Sequence, residues 1–109
     1  MYLYVSNPTL TDVTITNNTS DHGGGMYIYE SNPTLTNVTI SDNTASLDGG
    51  GMYLHVSNPI LTHVTISNNT ANDGGGMYLF LSSPMLTNSI IWDNSPEAIY
   101  IFWNTTYHL

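Results

Sequence analysis

The side chains able to do acid–base or metal chemistry in this 109-residue chain are eight carboxylates and four histidines, with no lysine, arginine or cysteine beside them. Hydrolysis by a carboxylate pair needs an acid and a base about 5–10 Å apart. Asp12, Asp42, Asp93 and Glu30 come from different repeats or different faces of the pattern described below, so no such pair is expected. Asp21, Asp48 and Asp73 precede glycine runs, with Asp48 and Asp73 at equivalent positions and Asp21 offset by one residue. In stacked strands, equivalent positions lie about 5 Å apart. Carboxylates that close repel unless a cation or proton intervenes, and calcium is the ion that oxygen ligands of this kind take. The plainer reading of the same pair is two solvated turn residues. His22, His55, His63 and His108 share no column and no ligand spacing, and read as isolated surface residues. No catalytic residue and no cofactor is therefore expected.

Composition narrows the partners. The formal charge of −8 with no Lys or Arg excludes phosphate recognition by counterion release, and so excludes nucleic acid. It disfavours an anionic membrane surface as well. There is no cysteine for a disulfide frame, and no run of 18 or more apolar residues to span a bilayer. The start of the chain carries no basic segment followed by an apolar one, as a signal peptide would. Met1 instead aligns with internal methionines, so the chain reads as a piece that opens inside a repeat.

That repeat is what must position every residue named so far. Met1, Met26, Met52 and Met77 are in register, spaced by 25, 26 and 25 residues, the last three each following three glycines. A period of this size marks a solenoid, in which one repeat cannot bury its own apolar face. The segments Met1–Val5, Met26–Glu30, Met52–Val56 and Met77–Leu81 alternate with period 2, as a strand does. Met and Leu/Ile are expected inward, together with the row Val5/Glu30/Val56/Leu81, where Glu30 fits poorly. Tyr2/Tyr27/Tyr53/Tyr78 and Tyr4/Tyr29/His55/Phe80 are expected outward.

Ser-Asn-Pro then makes a corner, since Ser and Asn bond their own backbone and Pro fixes φ. Leu10/Leu35/Leu61/Leu86 follow, then Val13/Val38/Val64/Ser89 three residues on and Ile15/Ile40/Ile66/Ile91 two further. A three-residue step reverses parity, which requires a second corner at Asp12/Asn37/His63/Asn88. Asn18, Asn43, Asn69 and Asn94 recur at one turn, where amides can bond one another up the axis. Leu47 accounts for the 26-residue spacing as an extra residue in a loop over 44–48. The expected fold is all-β: a right-handed parallel β-helix of four to five coils of about 25 residues, three short strands per coil. It is one domain over 1–109, with coils 1–25, 26–51, 52–76 and 77–98 and a partial fifth over 99–109.

These columns resemble repeats of right-handed parallel β-helix proteins of the pectin-lyase-like superfamily, above all the polymorphic-outer-membrane-protein type. That type pairs Gly-Gly-x-aliphatic with Phe-x-x-Asn. Here the elements are Gly24-Gly25-Met26, Gly50-Gly51-Met52 and Gly75-Gly76-Met77, and Ile15-x-x-Asn18, Ile40-x-x-Asn43, Ile66-x-x-Asn69 and Ile91-x-x-Asn94. Ile stands where the family has Phe, which keeps the position apolar. The repeats are also similar to those of large secreted bacterial surface proteins, where a copy like Leu86–Asn94 precedes a changed section. The resemblance implies an exported, extracellular protein, structural or adhesive. Lyases of the superfamily use an Arg or Lys base with calcium, and this chain has neither residue.

Three further expectations follow. The rows Tyr2/Tyr27/Tyr53/Tyr78/Tyr100 and Tyr4/Tyr29/His55/Phe80/Phe102 would form an aromatic face able to stack sugars or dock a protein, or simply to stack on itself. Asn17, Asn18, Asn37, Asn68 and Asn104 begin glycosylation sequons, which chance also produces in a chain this rich in Asn and Thr. Neither end offers a polar cap, and open coils present unpaired strand edges. The leading expectation is end-to-end self-association into a filament or a segment of a larger surface fibre. A glycan- or host-protein-binding adhesin segment is the alternative, and a polysaccharide-degrading enzyme the remote one.

Overall fold

A computed structural model describes residues 1–103, and its regular structure is entirely β-strand. The first coil holds β1 (Tyr2–Tyr4), β2 (Thr9–Thr11), β3 (Thr14–Thr16) and β4 (Thr19–His22). The second holds β5 (Met26–Tyr29), β6 (Thr34–Ser41) and β7 (Thr44–Asp48). The third holds β8 (Met52–His55) and β9 (Ile60–Ser67); the fourth holds β10 (Met77–Phe80), β11 (Met85–Thr87) and β12 (Ile90–Trp92). β13 (Ile99–Trp103) opens a fifth, and the rest of that coil, 104–109, lies outside the described residues.

Every strand pairs in parallel with its counterpart one coil away, residue on equivalent residue except for one shift each in β4–β7 and β10–β13. One sheet runs β1-β5-β8-β10-β13; a second runs β2 and β3 onto β6, then β9, then β11 and β12; the third is β4-β7. The third is extended by bridges Thr44↔Thr70, Asp48↔Asp73 and Thr70↔Ser95. The inward rows meet in one core: Met26, Ile28, Leu35, Ile40, Met52, Leu54, Leu61, Ile66 and Met77 are wholly buried. Burying each such side chain contributes about 1.5–3 kcal/mol. This is a parallel β-helix of about four coils.

The second coil has three strands, but not the three expected. The Leu and Ile segments form one continuous strand in β6 and β9, with Asn37 and His63 inside it. The parity reversal is real and is achieved by a left-handed residue within the strand: Asp12, Asn37, His63 and Asn88 have φ of 58°, 55°, 52° and 49°. The segment expected to be a loop, 44–48, is instead β7, with Ala45 buried. Leu47 is the extra residue there, exposed at a register shift between β4 and β7.

Left-handed residues mark three further corners. Asn17, Asp42, Asn68 and Asp93 lie at φ 55–59°, and Gly23, Gly49 and Gly74 at 64–69°. Asn and Asp tolerate this region. Val5, Glu30, Val56 and Leu81, at φ 46–50°, form the remaining column and correct the inward assignment of that row. The left-handed turn rotates the side chain outward, so Val5, Glu30 and Val56 are exposed. A β-branched residue held there costs on the order of 1–3 kcal/mol.

The second and third glycines are fixed by crowding along the axis. A Cβ on Gly51 would lie 2.6 Å from the Gly76 carbonyl oxygen and 3.1 Å from Asn69 Nδ2. Gly51→Ala should therefore destabilise by about 2–4 kcal/mol, as overpacking against backbone does. Chemical denaturation of the purified variant checks this, with Ser20→Ala, at an exposed position of β4, as control.

Candidate functional site

Two polar columns run through the interior. Each ladder asparagine donates twice to the Oδ1 of the next: Asn18 to Asn43, Asn43 to Asn69 and Asn69 to Asn94, from the backbone N at 2.9–3.0 Å and from Nδ2 at 3.0–3.1 Å. Nδ2 of Asn43, Asn69 and Asn94 also donates to the carbonyl of Ile15, Ile40 and Ile66 in the preceding coil. Asn43 and Asn69 are wholly buried, so these bonds replace water completely. The second column is one that sequence reasoning left as a turn. The backbone N of Ser6, Ser31 and Ser57 donates to the hydroxyl of Ser31, Ser57 and Ser82, and each serine hydroxyl donates to the carbonyl two residues before it. The strict recurrence of Ser before Asn-Pro was the available signal.

The first sheet carries the aromatic rows on its outer face. Rings of Tyr2, Tyr27, Tyr53, Tyr78 and Tyr100 stack at 4.9–5.2 Å, within 17° of parallel. Tyr4, Tyr29, His55, Phe80 and Phe102 make a second file at 4.6–5.6 Å. Phe102 keeps its stack although the backbone pairing slips there, Phe80 facing Trp103. An interior ring thus has both faces against other rings and turns its edge and hydroxyl outward, the self-stacking that was one of the two readings of this face. Among the described residues, the rings at the ends of the files have a ring on one face alone, and Tyr2, Tyr4 and Phe102 are correspondingly exposed. Burial raises the phenol pKa of Tyr27, with Tyr2 and Tyr29 adding to it. Burial likewise raises that of Tyr53, helped by Tyr27 and Asp48. Tyr78 is pushed up to about 12 by burial and then by Asp48, Tyr53, Tyr100 and Asp73.

The ionisable groups are mostly engaged in the architecture. Asp12, Asp42, Asp93 and Glu30 are exposed left-handed corner residues. Asp21 accepts from Ser46 Oγ at 2.7 Å, and Glu97 accepts from the Gly74 backbone N. Asp48 and Asp73 do face each other across a bridge, and His22 Nδ1 lies 3.3 Å from Asp48 Oδ2. That contact has the distance of an ion pair but makes no hydrogen bond. Burial raises the Asp48 carboxyl pKa, a shift that His22 opposes and Asp73 reinforces. Among the described residues no cluster of three or more His, Asp or Glu could hold a metal ion.

Of the sequons, Asn17 and Asn68 are exposed corner residues, while Asn37 Nδ2 donates to Asp12 and Asn18 Nδ2 belongs to the ladder. Asn104, like His108, lies outside the described residues. A recess of about 430 Å³ on the first coil is lined by Met1, Tyr2, Asn18, Asp21, His22 and Tyr27.

Asn69→Leu strips the acceptor from two donors of buried Asn43 and should cost about 3 kcal/mol, lowering Tm by roughly 10 °C or more. Asn58→Ala, on an exposed corner, should cost well under half of that in the same melt. A carboxylate whose folded pKa is raised stabilises the fold only while protonated, below its ordinary 3.8, and that contribution is lost as pH rises through the folded value. Asp48→Asn should therefore raise Tm at pH 7, with the difference shrinking below pH 4. The raised Tyr78 phenol works in the same sense: its contribution is complete below its ordinary 10.0 and lost through about 12. Tyrosinate absorbance should show one phenol titrating last, absent in Tyr78→Phe.

The sequence profile of the family described as a right-handed β-helix region matches residues 1–109. No curated protein and no solved structure matches the chain. The profile covers every coil whose parallel, in-register stacking is described above, and the chain belongs to the right-handed β-helix family.

Proposed function

We propose that this β-helix is an exported, extracellular structural and adhesive protein whose units stack end to end, as a filament or as part of a longer surface fibre. One observation carries the reading: the two edge strands of the first sheet are alike. Among the described residues, β1 and β13 each have a single neighbour. β1 presents Tyr2 and Tyr4, and β13 presents Tyr100 and Phe102, at the ends of the same two aromatic files. The apolar groups beside them, Met1, Ile99 and Ile101, are also exposed. Placing β1 of one unit against β13 of another continues both files and covers apolar surface. The absence of Lys and Arg, with Asp12, Glu30, Asp42 and Asp93 at exposed corners and Asp21 and Glu97 taken up in hydrogen bonds, supports a non-catalytic role without cofactor. Host-protein binding along the aromatic flank is a second reading, favoured by the edges and hydroxyls left open there.

Negative-stain microscopy and mass photometry over a concentration series should show linear oligomers. Tyr2→Asp with Tyr4→Asp should weaken association at least tenfold with a native circular dichroism spectrum. Monodisperse monomers of the unaltered chain at high concentration would sink the proposal.

A further inference from the structure

The aromatic files set phenol against phenol at the start of the first sheet. In β1 and β5, Tyr2 pairs with Tyr27 and Tyr4 with Tyr29, residue on equivalent residue. The rings follow the backbone: Tyr2 and Tyr27 have centroids 5.1 Å apart at 17°, and Tyr4 and Tyr29 have centroids 5.3 Å apart at 13°. Each ring repeats its partner one coil along, so equivalent ring atoms face one another, including the carbons ortho to the hydroxyls. The diagonal partners, Tyr4 with Tyr27 and Tyr2 with Tyr29, stand farther off, about 8 Å by the strand and residue spacings.

Exposure separates these pairs from those deeper in the files. Tyr2 and Tyr4 are 63 % and 59 % exposed, and among the described residues each has a ring on one face alone. That leaves room for the ring to tilt toward its neighbour, and water to take a proton from the hydroxyl. Tyr53 has rings on both faces, and Tyr78 has the same and is buried. In the second file the tyrosines end at Tyr29, with His55 and Phe80 following, so a radical formed there has one stacked phenol as partner.

We infer that the first two coils form a modification site at which Tyr4 with Tyr29, and Tyr2 with Tyr27 beside them, are oxidised to dityrosine by a peroxidase-type oxidant. Each phenol gives up one electron and its hydroxyl proton. The two phenoxyl radicals form a carbon–carbon bond between ortho positions, and the two ortho hydrogens pass to the oxygens through solvent, which restores both phenols. The chain loses two hydrogens per bond, and one hydrogen peroxide is reduced to two waters. The bond ties the exposed first coil to the second, and so restricts the unfolded chain as a disulfide does. The site lies within a single unit and does not depend on end-to-end association.

The test oxidises the unaltered chain with a haem peroxidase and hydrogen peroxide, at a dilution where mass photometry shows monomers. Dityrosine fluorescence should rise while the product still runs as a single chain under denaturing conditions. Cleavage before aspartate separates residues 1–11 from 21–41, and mass spectrometry should find these two fragments joined, with two hydrogens lost per bond. The same oxidation of the urea-unfolded chain should give at least about tenfold less of the joined pair, because proximity is lost. Phenylalanine keeps the stacks and removes a coupling partner. Tyr2→Phe with Tyr27→Phe, which leaves the aligned Tyr4 and Tyr29, should stay within about twofold of the unaltered yield, whereas Tyr2→Phe with Tyr29→Phe, which leaves the diagonal Tyr4 and Tyr27, should fall at least about fivefold. Absence of the joined fragments, equal yields from folded and unfolded chain, equal yields from the aligned and diagonal variants, or bonds formed chiefly between chains would each overturn the proposal.

Discussion

Axial registry governs this molecule: each residue sits against its own counterpart one coil away, held by parallel backbone hydrogen bonds. A backbone angle adopted in one coil recurs at the equivalent position of the next, because the corners must return each strand to its pairing partner. Four columns of left-handed residues per coil are the result. The columns also constrain one another. The Nδ2 atoms of Asn43, Asn69 and Asn94 would lie 3.0–3.1 Å from a Cβ on Gly25, Gly51 and Gly76, so the amide ladder adds to the crowding by the next coil's backbone that keeps those positions glycine. The fourth coil relaxes part of this, with Pro96, Glu97 and Ala98 in place of the glycines and Glu97 supplying the acceptor for the Gly74 backbone N.

Much of this was legible because repetition multiplies weak signals. Four copies of Leu and Ile rows established the core, and the parity break between Leu35 and Val38 located the bend at Asn37. Three features resisted. Val5 and Val56 occupy left-handed positions against their own preference, so the residue types pointed inward while the register forced them out. The strand Thr44–Asp48 has Thr, Ala and Ser where strand interiors favour larger groups, and its glycine-rich continuation reads as loop. The serine column looked like ordinary turn chemistry, because the bond from one coil to the next is invisible until the coils are superposed.

The aromatic flank carried two readings in the sequence, a face for a ligand and a stack of rings on rings. Sequence establishes that tyrosines recur outward, and outward aromatic rows suggest rings presented to a ligand. Stacking at about 5 Å turns those rings edge-on and consumes their faces internally. The same residues then serve stability along the flank and remain open only at the two ends. That division separates what the ends can do from what the side can do.

The asparagine ladder has one more consequence. Its amide-to-amide bonds all run from Asn18 toward Asn94, and the bonds from serine backbone N to serine hydroxyl point the same way. The helix is therefore a vector, with donors leading at one pole and acceptors at the other. A fibre that extends these ladders inherits that arrow: its two tips differ in chemistry, reversed units cannot be incorporated without orphaning buried amides, and growth at one tip has no reason to match the rate at the other.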